Sequence, residues 1–165
     1  MRLGPILAVA FTAAALAACG QSQSDSGAAT GSAGPAPAPA MSDAEKQALL
    51  ASLPAPYNAA DLANGESKFA LCRSCHTITP GGANMTGPNL HGVFGRKAAQ
   101  VEKYRYSDAL RTSGIVWDAS HLDEWLAKPM TYLPGTKMSF AGVKDADDRR
   151  DLIAYLMVET GHKPD

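Results

Sequence analysis

Cys72-Arg73-Ser74-Cys75-His76 is the stretch on which the reading of this chain turns. Two cysteines three positions apart, with a histidine directly after the second, form the attachment signature for a c-type haem. Each thiol adds to one vinyl group of the porphyrin as a thioether, and His76 is delivered beneath the iron as the proximal ligand. A thioredoxin-like redox pair would need a βαβ context, and half of a zinc site would need a second pair of ligands. The chain has neither, since its only other cysteine, Cys19, lies in a segment with the features of an export signal. Cys72 and Cys75 are therefore assigned to one covalent haem c, with His76 as a metal ligand.

Working outward, the 165 residues carry a formal net charge of −1, enough chain for one domain and too balanced to suggest a nucleic-acid partner. Residues 1–18 consist of a charged start at Arg2 followed by an apolar run that is short for a membrane span, the pattern of a signal peptide. Leu16-Ala17-Ala18-Cys19 resembles a bacterial lipobox, which makes Cys19 the expected lipidation site and residue 19 the new N-terminus. Gly20, in place of an aspartate there, leaves the choice of inner or outer membrane open. Residues 20–40 are almost wholly Gly, Ala, Ser, Gln, Thr and Pro with no apolar periodicity, so that 19–41 reads as a tether that reaches about 25 Å coiled and about 60 Å extended.

The folded domain is expected over 42–165. Ser42 and Glu45 form a capping box for a short helical extension that stops at Pro54. Asn58 or Asp61 caps a second helix running through Leu62, Gly65, Phe69 and Leu71 into the haem motif. Glycines and the Gly87-Pro88 turn mark 77–103 as an irregular loop that packs on the cofactor. Ser107 caps a short helix, Ser120 caps another that runs to Lys128 before Pro129, and Asp145 to Thr160 forms the strongest helix, with Leu152, Ile153, Leu156 and Met157 on one stripe. No stretch alternates as a strand, so the fold class is all-α, with helices and long loops wrapped around one haem.

The sixth iron position has several candidates: Met85, Met130, Met138 and Met157 as thioethers, and His91, His121 and His162 as imidazoles. Met157 belongs to the helical stripe, and the histidines sit in polar or glycine-rich surroundings. Met138 stands out because it follows the stiff turn Tyr132-Leu133-Pro134-Gly135-Thr136-Lys137, where no helical face accounts for an apolar side chain. Met130, directly after Pro129, is second on the same local grounds.

From about Gly65 to Leu156 the chain resembles a class I cytochrome c of the mitochondrial type and its bacterial relatives. The residues that carry the resemblance are Gly87-Pro88-Asn89-Leu90-His91-Gly92, Gly95-Arg96-Lys97, Tyr104-Arg105-Tyr106-Ser107-Asp108-Ala109, Gly114-Ile115-Val116-Trp117, Pro134-Gly135-Thr136-Lys137-Met138 and Leu152-Ile153-Ala154-Tyr155-Leu156. The resemblance implies Met138 as the axial ligand and Pro88 as the residue whose carbonyl orients the ring of His76. It also implies Arg96, Tyr106, Ser107 and Trp117 around the haem propionates, with Thr136 beside them. These side chains suit the task, because two buried carboxylates need charge and hydrogen-bond donors without further acids. Gly65 and Phe69 are expected to cross the C-terminal helix near Tyr155, the glycine permitting close backbone approach.

The chain departs from that family's pattern at Leu110, where relatives carry asparagine, and at Trp125, where they carry tyrosine, which unsettles the hydrogen bonds near the sixth ligand. The family's basic ring around the haem edge is thin here, reduced to Arg73, Lys97, Lys128 and Lys137. The expected function is electron transfer by a membrane-tethered, monomeric periplasmic protein, between a bc1-type reductase and a terminal oxidase or photosynthetic equivalent. The competing readings are a haem domain of an enzyme, such as a peroxidase or an electron-accepting dehydrogenase subunit, and a gas sensor. The Pro-Gly-Thr-Lys-Met loop, which closes the sixth site, favours the carrier.

Overall fold

A capping box starts the first helix, and Asp or Ser side chains start four of those that follow. The computed structural model describes residues 40–163, which fall in one compact unit. The expected lipid site Cys19, the signal segment and nearly all of the tether lie outside the described residues. Helix α1 is Asp43–Ser52, with Ser42 Oγ accepting from the Glu45 N–H and the Glu45 carboxylate accepting from the Ser42 N–H at 2.7 Å. After a 3-10 turn at Tyr57–Ala59 comes α2, Leu62–Phe69, then α3 at Asp108–Thr112, α4 at Ala119–Ala127, α5 at Pro129–Tyr132 and α6 at Ala146–Glu159. The only β pairing among the described residues is an isolated bridge between Lys97 and Val116. The all-α expectation holds.

Four local expectations need correction or sharpening. Asp61, and not Asn58, caps α2, its carboxylate accepting from the N–H groups of Ala63 and Asn64. That helix ends at Phe69 short of Leu71, because the Ala70 and Leu71 N–H groups turn to carbonyls three residues back and tighten the chain. Asp118 caps α4 in place of Ser120: its carboxylate reaches the His121 N–H at 2.7 Å, which puts Ser120 inside the first turn. Finally, Pro129 ends α4 and then opens the short α5, where its missing N–H costs nothing.

The expected stripe on α6 is incomplete as a description, because every residue from Asp151 to Val158 is buried. Helices α1, α2 and α4 all pack against α6 and leave its second half no solvent face. The closest of these crossings is with α2. A Cβ on Gly65 would lie 2.3 Å from the Asp151 carbonyl oxygen and 2.7 Å from the Tyr155 Cβ, so only glycine fits, as expected. Phe69 and Tyr155 close the crossing, with ring centroids 5.7 Å apart.

Asp151 ties this crossing together. It is 4 % exposed, and its carboxylate accepts from the Asp61 N–H at 3.1 Å, from Asn64 Nδ2 at 2.9 Å and from the Arg150 guanidinium at 2.7 Å. Burial pushes its carboxyl up, but the bonds from Asn64, Arg150 and the Asp61 N–H together outweigh burial and hold it below the ordinary carboxylate value. A depressed folded value means that the carboxylate contributes stability above about pH 4 and loses it as pH falls through the folded value. Asp151→Asn is therefore expected to lower stability at pH 7 by about 1–3 kcal/mol and to make the loss on acidification shallower. Denaturant unfolding at a series of pH values checks this; parallel curves for the two proteins would contradict it.

Candidate haem-binding site

The turn after α2 sets the site. The Cys72 and Arg73 N–H groups donate to the Phe69 carbonyl, and the Cys75 and His76 N–H groups both donate to the Cys72 carbonyl at 2.9 Å. This winds the five-residue motif into a tight helical turn and presents Cys72, Cys75 and His76 to one cavity. Both thiols are free and half-buried. Burial, with a smaller contribution from Cys75, pushes the Cys72 thiol up to about 11.

His76 is held from the far side of the loop. Its Nδ1 lies 2.7 Å from the Pro88 carbonyl oxygen, so Nδ1 carries the proton and Nε2 keeps its lone pair. Burial pulls the imidazole below its ordinary value and the Pro88 bond partly restores it, so the ring is neutral, as a ligating histidine must be. Gly87 makes the approach possible. A Cβ there would fall 2.2 Å from His76 Cε1, and the Gly87 N–H donates to the Cys75 carbonyl at 2.8 Å.

Around this turn a cavity of about 370 Å³ opens, within the ordinary range for a bound organic group. Its wall contains all ten side chains expected of the site: Cys72, Cys75, His76, Pro88, Arg96, Tyr106, Ser107, Trp117, Thr136 and Met138. They span 66 positions of the chain, from Cys72 to Met138, on six separate stretches. Met138 reaches the cavity from the loop between α5 and α6, its N–H donating to Thr136 Oγ1 at 3.2 Å. None of the six other candidates for the sixth position lines the cavity. Met157 is core, Met85 and Met130 are exposed, His121 pairs with Asp118, His162 stacks on Phe94, and His91 lies against Gly161.

Arg96 donates from Nη1 to the His91 carbonyl at 2.8 Å and from Nη2 to the Asn89 carbonyl at 3.3 Å, which fixes the guanidinium at the wall. Burial lowers its pKa, yet an arginine remains charged. Tyr106 is buried and its oxygen accepts from the Val101 N–H, while Ser107 both lines the cavity and caps α3 through the Leu110 N–H. Leu90, Val93, Leu110, Leu122, Trp125 and Phe140 supply apolar wall, and Lys97 and Lys137 also line the cavity.

The donor set and the shape fit a haem c. Two thiols stand beside an imidazole that is already oriented by a second group, a thioether shares the same cavity, and cationic and neutral donors are present for two carboxylates. Three contributors went unassigned at the level of sequence. Gly87 was legible only as a turn. Asn89 is buried and joins the loop to itself, donating to Thr77 Oγ1 at 2.6 Å and accepting from the His91 N–H at 2.9 Å. Tyr104 donates to the Thr86 carbonyl at 2.6 Å and packs edge-on against Tyr106 at 4.7 Å. The only signal for the last two was their place inside the quoted motifs.

Residues 62–158 match the family described as Cytochrome c. Among curated proteins the chain is similar to the cytochrome c2 of Blastochloris viridis, at 47% identity over 108 residues that cover 66% of this chain and 85% of the relative. It is also similar to the cytochrome c of Gibberella zeae, at 48% over 101 residues covering 61% of this chain and 95% of that one. A third relative, the cytochrome c of Theileria annulata, is 53% identical over 97 residues, covering 58% of this chain and 84% of the relative.

Proposed function

The chain belongs to the cytochrome c family, and from that premise we propose that it is a membrane-tethered electron carrier on the periplasmic side of a bacterial membrane. It passes single electrons from a bc1-type reductase to a terminal oxidase or an equivalent photosynthetic acceptor, and turns over no substrate. Haem c, one per chain and covalently held, supplies the one-electron chemistry between its ferrous and ferric states. The observation that carries the reading is the convergence of Cys72, Cys75, His76 and Met138 on one largely apolar cavity.

In this reading Cys72 and Cys75 form the two thioethers, and the Pro88 carbonyl holds His76 in the tautomer that leaves Nε2 free to ligate. Met138 would hold the iron as a soft neutral ligand, which with the apolar wall would favour the reduced state. Arg96, Tyr106, Ser107, Trp117 and Thr136 would meet the propionates. With Met138 as a second ligand the iron would have no open position for peroxide or a gas, which supports a carrier over a peroxidase or sensor. Among the described residues no helix is long and apolar enough to cross a membrane; the attachment proposed is through a lipidated Cys19. Two or more acyl chains hold a protein on a bilayer stably, whereas one does so marginally.

One fractionation tests the haem attachment and the tether. Wild-type protein and Cys19→Ser are produced in a host able to attach haem, and membrane and soluble fractions are extracted with acidified acetone and read by reduced-minus-oxidised spectra. The haem is expected to stay with the protein in both, and to move from salt-washed membranes to the soluble fraction in Cys19→Ser. Haem that leaves with the solvent would defeat the attachment; wild-type protein free in the periplasm would defeat the tether.

A further inference from the structure

Two stretches of the described chain lie outside the residues that match the cytochrome c family, 40–61 ahead of the match and 159–163 behind it. Both contribute to a second groove, of about 780 Å³, apart from the haem cavity. Ser52 and Pro54, at the end of α1, form one wall. They are held in place because α1 is anchored: Leu50 and Leu53 are buried in the core, and Lys46 pairs with Glu159 of α6 at 2.6 Å. Another wall is set by the end of α6. Gly161, at φ +78°, turns the chain out of the helix, and the His162 N–H donates back to the Met157 carbonyl at 3.2 Å, a closing bond that fixes the backbone carrying His162 and Lys163. The His162 ring stacks on Phe94, with centroids 5.1 Å apart. Trp117 and Met157 reach the groove from the core, and Val116 stands beside them, 48 % exposed. The Gly95 N–H donates to the Trp117 carbonyl at 2.7 Å and the Trp117 N–H to the Arg96 carbonyl at 3.0 Å, which ties these segments together.

Apart from His162, Asp118 and Lys163 are the groove's only charged side chains. The Asp118 carboxylate is already committed, accepting from the His121 N–H at 2.7 Å and lying 2.8 Å from His121 Nδ1. The Lys163 ammonium is exposed and makes no ion pair with any described residue. The charge left for a ligand is therefore positive. Aromatic walls favour flat rings, which stack or meet them edge-on, and an ammonium favours a carboxylate. The volume lies in the ordinary range for a small organic ligand. We infer that this groove binds a small aromatic carboxylate, its rings against the Phe94–His162 pair and Val116, and its carboxylate on Lys163. The site goes beyond electron transfer and does not depend on the carrier reading. Trp117 lines both this groove and the haem cavity, so the ligand and the cofactor share a wall.

The test uses full-length, haem-loaded Cys19→Ser protein, in which no lipid calls for a detergent that would compete for the groove, and naphthalene-2-carboxylate as the probe. Equilibrium dialysis is expected to show one probe bound per chain, saturating below about 1 mM. In nitrogen-15-labelled reduced protein the amide signals of Ser52 and of Gly161 to Lys163 should move with the same saturation, while those of Leu71 and Gly87 at the haem cavity stay in place. Lys163→Gln should weaken the probe roughly five- to ten-fold and leave the neutral naphthalene-2-methanol unaffected. Val116→Glu, which adds an acid at an exposed position of the groove, should weaken the probe more than about ten-fold. The haem spectrum should stay unchanged in both variants. Absence of saturable binding, or amide shifts confined to the haem cavity, would overturn the site. Equal affinity of the parent protein and both variants would do the same, by placing the probe elsewhere on the surface. Tighter binding of decanoate than of the aromatic carboxylate would overturn the assigned class. None of these results bears on electron transfer, so the carrier reading stands or falls separately.

Discussion

Met138→Ala is expected to open the sixth position while leaving the haem attached and His76 in place. The reason is a division of labour visible in the fold. His76 is held by the Pro88 carbonyl and the close approach of Gly87, on the loop that follows the cysteine turn. Met138 is held separately, by its N–H bond to Thr136 and by the loop between α5 and α6. Removing the thioether therefore disturbs only one side. The charge-transfer absorption of a methionine-ligated ferric haem, at the red end of the spectrum, should disappear, and the reduced protein should bind carbon monoxide. Loss of a soft neutral ligand should lower the potential by on the order of 100 mV, a fraction of the roughly 0.8 V that axial ligands control. Met130→Ala, at an exposed position outside the cavity, is the control and should leave all three readouts unchanged. Survival of the band in Met138→Ala with its loss in Met130→Ala would reverse the assignment.

The largest effect on folding is expected at Gly65. A methyl group there would sit 2.3 Å from a backbone oxygen of α6 and 2.7 Å from the Tyr155 Cβ, and neither atom belongs to a flexible side-chain end. The helices must separate to admit it. Separation stretches the bonds from Asp61 and Asn64 to Asp151 and loosens the Phe69–Tyr155 contact, so overpacking and hydrogen-bond losses add. Gly65→Ala should cost about 3–4 kcal/mol and lower the melting temperature by roughly 10–20 °C. Gly81→Ala separates this steric cause from ordinary glycine strain: φ there is +66°, and nothing lies within 4 Å of a Cβ. It should cost only about 1–2 kcal/mol. Equal effects of the two substitutions in thermal unfolding would remove the steric explanation.

The two departures from the family pattern now have a structural account. Leu110 and Trp125 both line the haem cavity, and the Trp125 ring is packed edge-on between Trp117 at 5.3 Å and Tyr132 at 6.1 Å. Where a polar network would hold the neighbourhood of the sixth ligand, this chain places interlocked aromatic rings. Such a wall keeps its shape by packing and adds no charge.

What the sequence by itself determined about this protein are the features carried by neighbours in the chain. The Cys72-to-His76 spacing needs one turn, and the capping box at Ser42 and Glu45 spans four residues. Bonds reaching three or four residues obey local rules that the residue types announce. The tertiary structure alone decided what arrives from far away. It chose Asp118 over Ser120 as the cap of α4, since two competent oxygens stood close together and the path of the entering chain selected between them. It buried the second half of α6 on all sides, because helices α1, α2 and α4 close over a segment whose own pattern implied one covered face. It set Met138 and not Met130 at the cavity wall, eight residues apart in a chain where both follow a proline-bearing turn. It also made Gly87 a contact for His76 and Asn89 a hub of its loop. Those roles depend on which atoms face one another across the fold, and the distance between such partners is fixed by the packing of the whole domain.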